Sequence, residues 1–402
     1  MSGSGPAVGR WGILALIMAA QTFANVGPLG VPSIAPLIRD DLSLSVAEAG
    51  SFISAYYIGP SLMSLPAGWM ADRWGVLPSM VVGQVLIAVG LVAVGGSHAF
   101  PLMAVCMVVA GAGYGILNPT TTKAGMAWFP PRQRATVVGL KQVGLPLGGA
   151  VGALVMPPLA LAFGWRTAVV LPAALVVLLA LVTWLLYREP PAPLQGGAPV
   201  EPLSLRMILG HRDLWLVASS TLVFAGMQTV WMGFLVLYLT EVLHLSLVDA
   251  GHYLVMAQVT GMAGRVIFGM LSDRLFGGRR RIVLVIAGIG STVCSLLMAG
   301  TGPGTGWWVL APLALAFGFF GIGWNGVQHT LMAELVGPRG AGTAVGLGLA
   351  ISSLGVTICP PIFGVAVQHL GGFRIPWAGL GIVMALNMCL LIPVRERKRE
   401  AW

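Results

Sequence analysis

The stretch Gly68-Trp69-Met70-Ala71-Asp72-Arg73-Trp74-Gly75 places an adjacent acid and base, flanked by glycines, between two long apolar segments. A second version, Gly269-Met270-Leu271-Ser272-Asp273-Arg274, lies in the other half of the chain and precedes three arginines at 279–281. Asp72 and Asp273 are 201 positions apart, which is half of the 402 residues. The repeat predicts a protein built from two related halves.

The composition is that of an integral membrane protein. Hydrophobic residues make up 57% of the chain and charged residues only 9%, with a mean hydropathy of +0.88. A soluble domain carries roughly 25% charged residues, so this chain has too few to cover a surface in water. The four cysteines fall in apolar runs without the spacing of metal ligands, so we interpret them as packing residues and expect neither a metal nor a cofactor.

Twelve apolar segments are long enough to cross a bilayer, which takes about 20 residues per helix. They predict an all-α integral membrane fold of twelve transmembrane helices in two pseudo-symmetric six-helix bundles. The Pro/Gly-rich segment 188–212 is predicted to be a cytoplasmic linker between an N-terminal bundle, 1–187, and a C-terminal bundle with a short basic tail, 213–402. The predicted spans are 12–37, 46–70, 77–97, 101–127, 134–162, 167–187, 213–240, 247–271, 282–300, 307–335, 341–368 and 375–394.

The positions of lysine and arginine predict the orientation. With the N-terminus inside, sixteen basic residues fall in inner segments and three, Arg39, Arg166 and Arg374, in outer loops. Because basic residues concentrate on the cytoplasmic side, we expect a multi-pass protein of the inner (plasma) membrane with both termini in the cytoplasm. Topology and contact with lipid headgroups explain the net charge of +9. We therefore expect no nucleic-acid partner, and we expect a monomer in the lipid bilayer.

The two halves align beyond the repeated motif. Residues 44–50 match residues 245–251 at the same offset of 201, and each copy has a serine followed three residues later by an acid. This pattern predicts a capping box at a helix start. Further along, Asn118 matches Asn325 at an offset of 207, and this symmetry favours a structural role for both. Repeated six-helix halves place a substrate path between them, near the membrane midplane.

Together these features resemble the major facilitator superfamily over essentially the whole chain. The first copy is similar to the loop signature G-x-L-A-D-R-x-G-R-R between helices 2 and 3, although residues 76–78 replace its last basic positions. The resemblance implies a latch at the cytoplasmic helix ends, and helix dipoles favour such placement of acids and bases. The latch residues so implied are Gly68, Asp72, Arg73 and Gly75 in the first copy and Asp273 and Arg274 in the second.

Charged residues that occur within a span in only one half need an explanation other than the fold. A charge at mid-bilayer costs at least about 2.5–3.5 kcal/mol. All 13 acids lie at helix ends, in loops or in tails, whereas Lys123, Lys141 and Arg265 lie within predicted spans. The counterpart of Arg265 is Ser64, and the counterpart of Lys141 is Gly348. The fold alone therefore does not require either Arg265 or Lys141.

Arg265 and Lys141 lie at a similar predicted depth, roughly 10–12 Å from the cytoplasmic boundary. In the fold that the resemblance implies, helices 5 and 8 face each other, so two unpaired cations there predict an anion site. The segment around Arg265 also resembles oxalate/formate and monocarboxylate transporters, in which such an arginine binds the carboxylate. Helix 11 lacks the lysine of the oxalate antiporters, so Lys141 would supply the second cation. Lys123 could instead reach the headgroups, and its role stays open.

Other polar residues complete the predicted site. Six residues near the predicted midplane are interpreted as pocket residues, and His329 with Glu334 is the candidate proton relay. The glycine run at 144–149 partly resembles nitrate/nitrite porters and drug antiporters, although close packing and bending also explain it. The six pocket residues are Asn25, Tyr57, Tyr114, Gln228, Gln258 and Ser352.

The preferred hypothesis is a secondary active transporter of a small organic anion, a mono- or dicarboxylate, working by alternating access as an exchanger or a proton symporter. One alternative is a proton-coupled drug or metabolite efflux transporter. Another is an inorganic anion porter of the nitrate or cyanate kind, although helix 2 lacks the second arginine expected of nitrate porters. Zinc-hydrolase and nucleotide-loop motifs are missing from the sequence, so an enzyme is not expected.

Overall fold

The computed structural model describes residues 9–129, 131–189, 210–336 and 341–396, and all regular structure within these ranges is helical. A 3₁₀ turn, Val31–Ile34, joins the first two helices, and a π-helical turn, Gly318–Ile322, follows the helix Trp307–Phe317. The helices are α1 (Arg10–Gly30), α2 (Ala35–Leu42), α3 (Val46–Gly50), α4 (Phe52–Arg73), α5 (Val76–Gly95), α6 (Phe100–Trp128), α7 (Pro131–Phe163), α8 (Trp165–Leu186), α9 (Arg212–Glu241), α10 (Leu247–Arg274), α11 (Arg280–Ala299), α12 (Trp307–Phe317), α13 (Asn325–Val336), α14 (Ala341–His369) and α15 (Arg374–Leu391).

Eleven helical stretches in the described part of the chain are long and apolar enough to cross a membrane. They match the predicted spans except the second, where α4 lies. This helix of 22 residues contains Pro60 and Pro66 together with three serines and two tyrosines, which make it less apolar than the others. The all-helical, multi-pass architecture is thus confirmed, whereas the twelfth span stays a prediction.

The chain divides into two compact units. The first comprises Met1–Ile34 and Ala55–Gly196, and the second comprises Ala35–Ser54 and Gly197–Trp402. The segment Ala35–Ser54 therefore packs with the second unit, although it precedes most of the first unit in sequence. Apart from its ends, the predicted linker 188–212 lies outside the described residues, and its role stays a prediction.

In the first unit, α1 packs closely against α7 along a row of glycines. A Cβ added at Gly148 would collide with the backbone carbonyl of Thr22, and one at Gly152 with the carbonyl of Val26. The two backbones can approach this closely because neither position carries a side chain. The close-packing interpretation of the glycine run at 144–149 is therefore confirmed.

In the second unit, α9 and α14 also pack closely at a glycine. A Cβ at Gly355 would collide with the backbone carbonyl of Leu222. An aromatic contact joins α9 to α12, since the rings of Trp231 and Phe317 stack with centroids 3.9 Å apart. The indole nitrogen of Trp231 also donates to the hydroxyl of Ser295 on α11 at 2.9 Å. These contacts fix α9 at the centre of this unit.

Both predicted helix starts are capped. The Ser45 hydroxyl accepts from the Glu48 amide at 3.2 Å, and the Glu48 carboxylate accepts from the Ser45 amide at 2.8 Å, which completes a capping box. At the start of α10, the Ser246 hydroxyl accepts from the Asp249 amide at 3.1 Å. The capping prediction is confirmed at both positions.

The segment Ala35–Ser54 is held to α9 and α14. The Ser54 hydroxyl donates to the Val356 carbonyl at 2.9 Å, and this bond is buried. Arg39 forms an ion pair with Glu241 at the end of α9. These contacts explain why the segment belongs to the second unit.

Candidate functional site

Arg265 is half-buried on α10, nine residues before the end of that helix at Arg274. The preceding residue, Gly264, packs against the segment that follows α12, and a Cβ there would lie 3.2 Å from the Cα of Gly323. A Cβ at Gly326 on α13 would lie 3.9 Å from the backbone carbonyl oxygen of Arg265. Arg265 is therefore adjacent to the helix that carries His329, within the second unit.

The helical stretch Trp307–Val336, which packs against α10, is distorted near its middle. Helix α12 ends at Phe317, the π-helical turn Gly318–Ile322 follows, and α13 begins at Asn325. A π turn inserts one extra residue and is frequent at functional sites. Because a Cβ at Gly318 would collide with the backbone of α10, the glycine allows the distorted turn to pack closely on that helix. In the first unit the matching helix, α6, is continuous past Asn118.

The π turn places Trp324 and Asn325 beside Gln228 on α9. The Trp324 indole nitrogen donates to Gln228 Oε1 at 3.1 Å, and Asn325 Nδ2 donates to the same oxygen at 3.2 Å. An indole N–H can only donate, so the atom of Gln228 that faces it must be the amide oxygen. The Gln228 amide nitrogen is therefore directed away, with the sulfur of Met232 as a weak partner at 3.8 Å.

A further amide lies on the helix that carries Arg265. Gln258 precedes Arg265 by seven residues, or about two turns, so both lie on one side of α10. Gln258 is 1% exposed, and its amide nitrogen has no hydrogen-bond partner in the described part of the structure. A buried donor without an acceptor costs about 1–3 kcal/mol. A polar ligand or water that accepted from this nitrogen would therefore be stabilised.

Lys141 is fully buried on α7 of the first unit and is not the unpaired cation that the sequence suggested. Its Nζ donates to the backbone carbonyl of Asn118 at 2.8 Å, to Asn118 Oδ1 at 2.6 Å and to Thr122 Oγ1 at 2.7 Å. An ammonium has three donors, so all of them are directed to α6. The expectation that Lys141 lacks partners is wrong, because sequence offsets do not show which oxygens a neighbouring helix presents. Its role in binding stays a prediction.

Lys123 also reaches an oxygen within the first unit. Its Nζ donates to the backbone carbonyl of Ala71 at 2.8 Å. Ala71 lies within the motif at the end of α4, so this lysine ties α6 to that helix end. The bond gives Lys123 a structural contact and does not indicate a role in substrate binding.

The predicted pocket residues of the first unit surround a tyrosine that the sequence analysis did not select. Tyr56 is fully buried, its hydroxyl lies 3.3 Å from Asn25 Oδ1, and its ring contacts those of Tyr57 and Tyr114. Asn25 Nδ2 donates to the Gln21 carbonyl at 2.7 Å. The structure thus brings three predicted residues together around Tyr56. The adjacent pair Tyr56-Tyr57 within one apolar segment was the available signal.

The repeated motif has its own contacts in each unit. In the second, Arg280 is nearly buried and its guanidinium lies 2.6 Å from Asp273 and 3.3 Å from Glu334. Asp273 thus contacts the start of α11, and Glu334 joins this ion network. In the first unit, Gly75 has φ +91° before α5, and the Val76 amide donates to Glu189 at 3.0 Å.

The remaining predicted residues are placed as follows. Arg73 and Arg274 are exposed at helix ends. The surroundings of Gly68 and the side chain of Asp72 lie outside the described part, although the backbone there is helical. Ser352 on α14 donates back to the Leu349 carbonyl of its own helix at 2.8 Å.

The hydrogen-bonded group in the second unit is therefore Gln228 with Trp324 and Asn325, and Arg265 lies on the helix packed beside it. The sequence analysis interpreted Asn325 as structural because of its symmetry with Asn118, and it did not select Trp324. The signal for both was the glycine-rich sequence AFGFFGIGWN at 316–325, which contains the π turn and ends at the start of α13. Glycine at this density makes a regular helix less stable.

Comparison with known proteins shows which family the chain resembles. A family model described as Major Facilitator Superfamily matches residues 12–349 and 278–401. A structure of a bacterial homolog of the human lysosomal transporter Spinster, inward-facing and occupied, has a TM-score of 0.78 at 19% identity and covers 100% of this chain and 99% of its own. At this identity the likeness shows the fold.

Two relatives are similar over most of their length. The hexuronate transporter of Bacillus subtilis is 25% identical, with 84% of this chain and 83% of the relative covered. The probable sulfoacetate transporter of Cupriavidus necator is 24% identical, with 93% and 91% covered. These relatives and the fold are those of membrane transporters, not of enzymes.

Proposed function

The chain belongs to the major facilitator superfamily, and we propose that it is a secondary active transporter that moves a small organic anion, a mono- or dicarboxylate, by alternating access. The names of the two relatives, a hexuronate and a probable sulfoacetate transporter, support an organic anion as substrate. The likeness of the segment around Arg265 to oxalate/formate and monocarboxylate transporters supports a carboxylate.

The observation that carries the proposal is the position of Arg265. A half-buried guanidinium within a membrane span is costly, and intramembrane charges of this kind commonly mark substrate pathways. The repeat places Ser64 at the corresponding position of the first half, so the shared fold does not need the charge. The helix that carries Arg265 also packs against the π-helical turn Gly318–Ile322, and single π turns within helices are frequent at functional sites. A guanidinium matches a carboxylate with two parallel hydrogen bonds.

Lys141 is the proposed second cation. Its three partners, on Asn118 and Thr122, are neutral oxygens. A substrate carboxylate that replaced one of them would pair two opposite charges, whereas in the present bonds only the ammonium is ionised. Binding at Lys141 therefore requires a rearrangement against α6.

Coupling by exchange or by proton symport fits the distribution of acids. All 13 acidic residues lie at helix ends, in loops or in tails, so no carboxylate within a span is available to carry a proton. His329 is the proposed proton-binding residue, with Glu334 at the inner end of the same helix. The positive-inside distribution supports an inner-membrane protein with both termini in the cytoplasm.

A transport panel with purified protein in liposomes tests the class of substrate. The panel contains labelled mono- and dicarboxylates, nitrate and a lipophilic cationic dye. Saturable uptake of a carboxylate that is stimulated by unlabelled carboxylate inside, or by an inward proton gradient, is the expected result. Transport of nitrate alone, or of the dye alone, would contradict the proposal in favour of an inorganic anion porter or a drug exporter.

A further inference from the structure

We propose that Gln228 and Asn325 recognise a hydroxyl group of the transported anion, which makes hydroxylated carboxylates the preferred substrates. The inference rests on the proposed function, because it assumes that the carboxylate of the same molecule is held at Arg265. The proposed function concerns the carboxylate of the substrate, and this inference adds a hydroxyl group elsewhere on the same molecule.

The orientation of two linked amides is the first step. Gln228 Oε1 accepts from both Trp324 and Asn325, so its NH₂ group is directed elsewhere, and only the weak sulfur contact to Met232 occupies it. Asn325 Nδ2 donates to Gln228 and to the Ile322 carbonyl at 3.2 Å, so Asn325 Oδ1 points away from both. Both side chains are partly exposed. The linked pair therefore presents one donor and one acceptor.

This combination selects among polar groups. A hydroxyl donates one hydrogen bond and accepts others, so it satisfies the Gln228 NH₂ and the Asn325 oxygen together. A carboxylate only accepts, and its lone pairs would meet those of Asn325 Oδ1. A methylene group would leave both amide groups without a partner after their water is removed, which is unfavourable.

The distance from Asn325 to the helix that carries Arg265 suits a small molecule. A Cβ at Gly326, the residue after Asn325, would lie 3.9 Å from the backbone carbonyl oxygen of Arg265. The two helices are therefore in contact beside Asn325, so a carboxylate at Arg265 and a hydroxyl at Gln228 and Asn325 can belong to one small molecule.

The recognition pair is also rigidly supported. Trp324 is fully buried, and its ring stacks on Phe224 of α9 with centroids 5.2 Å apart. The π-helical turn Gly318–Ile322 places Trp324 and Asn325 at the start of α13. A site whose side chains are already held in place loses little entropy on binding. This favours a recognition role for the pair over a loose polar contact.

Calorimetric binding to the purified, full-length protein tests the inference. The probes are two pairs matched in carbon number and charge: galactarate with adipate, and lactate with propionate. In the wild type, the hydroxylated member of at least one pair is expected to bind at least about 10-fold more tightly, as in sites built to hydrogen-bond a hydroxyl. The variants Gln228→Met and Asn325→Leu are expected to remove this preference and leave the affinity for the unhydroxylated member within about twofold.

Two controls make the result specific. Gln84 is a fully buried glutamine of α5 that bonds to Thr183 at 3.3 Å, so Gln84→Met measures the effect of losing a buried amide and is expected to keep the preference. Arg265→Gln is expected to weaken binding of both members of each pair. If it does not, the proposed function fails at its anion site, whatever the hydroxyl preference.

Three outcomes with the wild type alone overturn the inference. Equal binding of both members by the wild type, tighter binding of the unhydroxylated members, or no binding of either pair contradicts it. A wild-type preference that persists in folded Gln228→Met and Asn325→Leu also contradicts it, because the hydroxyl is then recognised elsewhere.

Discussion

The ammonium group of Lys141 donates to both the backbone carbonyl and the side-chain oxygen of Asn118, at 2.8 and 2.6 Å. The counterpart of Asn118 in the second half, Asn325, instead donates to Gln228 at 3.2 Å. One repeated asparagine therefore accepts from a buried cation in the first unit and orients a neutral amide in the second. The symmetry of the sequence is preserved, while the chemistry of the position has diverged.

The Lys141–Asn118 contact predicts strong coupling between the two side chains. Asn118→Leu should lower stability by about 3–5 kcal/mol, because it leaves a buried charge with too few acceptors. Lys141→Met should cost only about 1–3 kcal/mol, the penalty of unpaired oxygens on Asn118 and Thr122. The double variant should therefore be more stable than Asn118→Leu alone. Melting temperatures of the four proteins in one detergent test this, and additive effects would contradict the coupling.

The ion network around Arg280 predicts a difference between arginine and lysine. Arg280→Gln should lower the melting temperature, because the guanidinium bridges Asp273 and Glu334. The expected loss is on the order of 1 kcal/mol, since both carboxylates are substantially exposed and screened. Arg280→Lys should restore only part of it, because an ammonium lacks the planar fork. The exposed neighbour Arg279 supplies the control, and an equal loss in Arg279→Gln would show that net charge alone matters.

A Gly→Ala change is expected to lower stability in the glycine row between α1 and α7 and to raise it at an open glycine elsewhere. Gly148→Ala should destabilise by about 1–3 kcal/mol, because the new methyl group collides with the Thr22 backbone. Gly379→Ala, in α15, meets no atom within 4 Å and should stabilise by about 0.4–1 kcal/mol. Thermal unfolding in detergent measures both, and a neutral Gly148→Ala would contradict the close packing.

Trp324 is predicted to act through the orientation of Gln228. Trp324→Phe keeps an aromatic ring against Phe224 and removes the indole donor that fixes the amide. We expect the hydroxyl preference to fall about 5- to 10-fold, in line with the loss of about 1–1.5 kcal/mol for one hydrogen bond. Calorimetric titration with the galactarate and adipate pair measures it. An unchanged hydroxyl preference, together with an unchanged melting temperature, would show that the indole hydrogen bond does not fix the orientation of the Gln228 amide.

Much of the architecture could be predicted because bilayer physics constrains it. A length of about 20 apolar residues defines a span, and each of the eleven gaps between predicted spans falls at a break between helices or within a few residues of one. The serines and acids at 45–48 and 246–249 predicted their caps because that interaction is local in sequence. The span at α4 was harder to establish, since prolines, serines and tyrosines dilute its hydropathy.

The site was only partly predictable, because its contacts depend on how helices pack. Symmetry identified Arg265 as the cation that the fold does not need, yet it could not show that its helix packs there against Gly323 and Gly326. It also could not show that Lys141 directs its three donors to α6. The π turn Gly318–Ile322 has no counterpart in α6, so comparison of the halves gave Asn325 a structural role and did not select Trp324.

The most direct test of the account measures carboxylate exchange by Arg265→Gln in liposomes. The control is Arg374→Gln, which removes the same charge from an exposed position at the start of α15. Loss of a charge-assisted bond of about 1.5–3 kcal/mol predicts a fall of roughly 10- to 100-fold in the apparent affinity for the carboxylate, with Arg374→Gln unchanged. An Arg265→Gln protein that exchanges the carboxylate within twofold of the wild type, at concentrations below saturation, would contradict the assignment of Arg265 as the anion site.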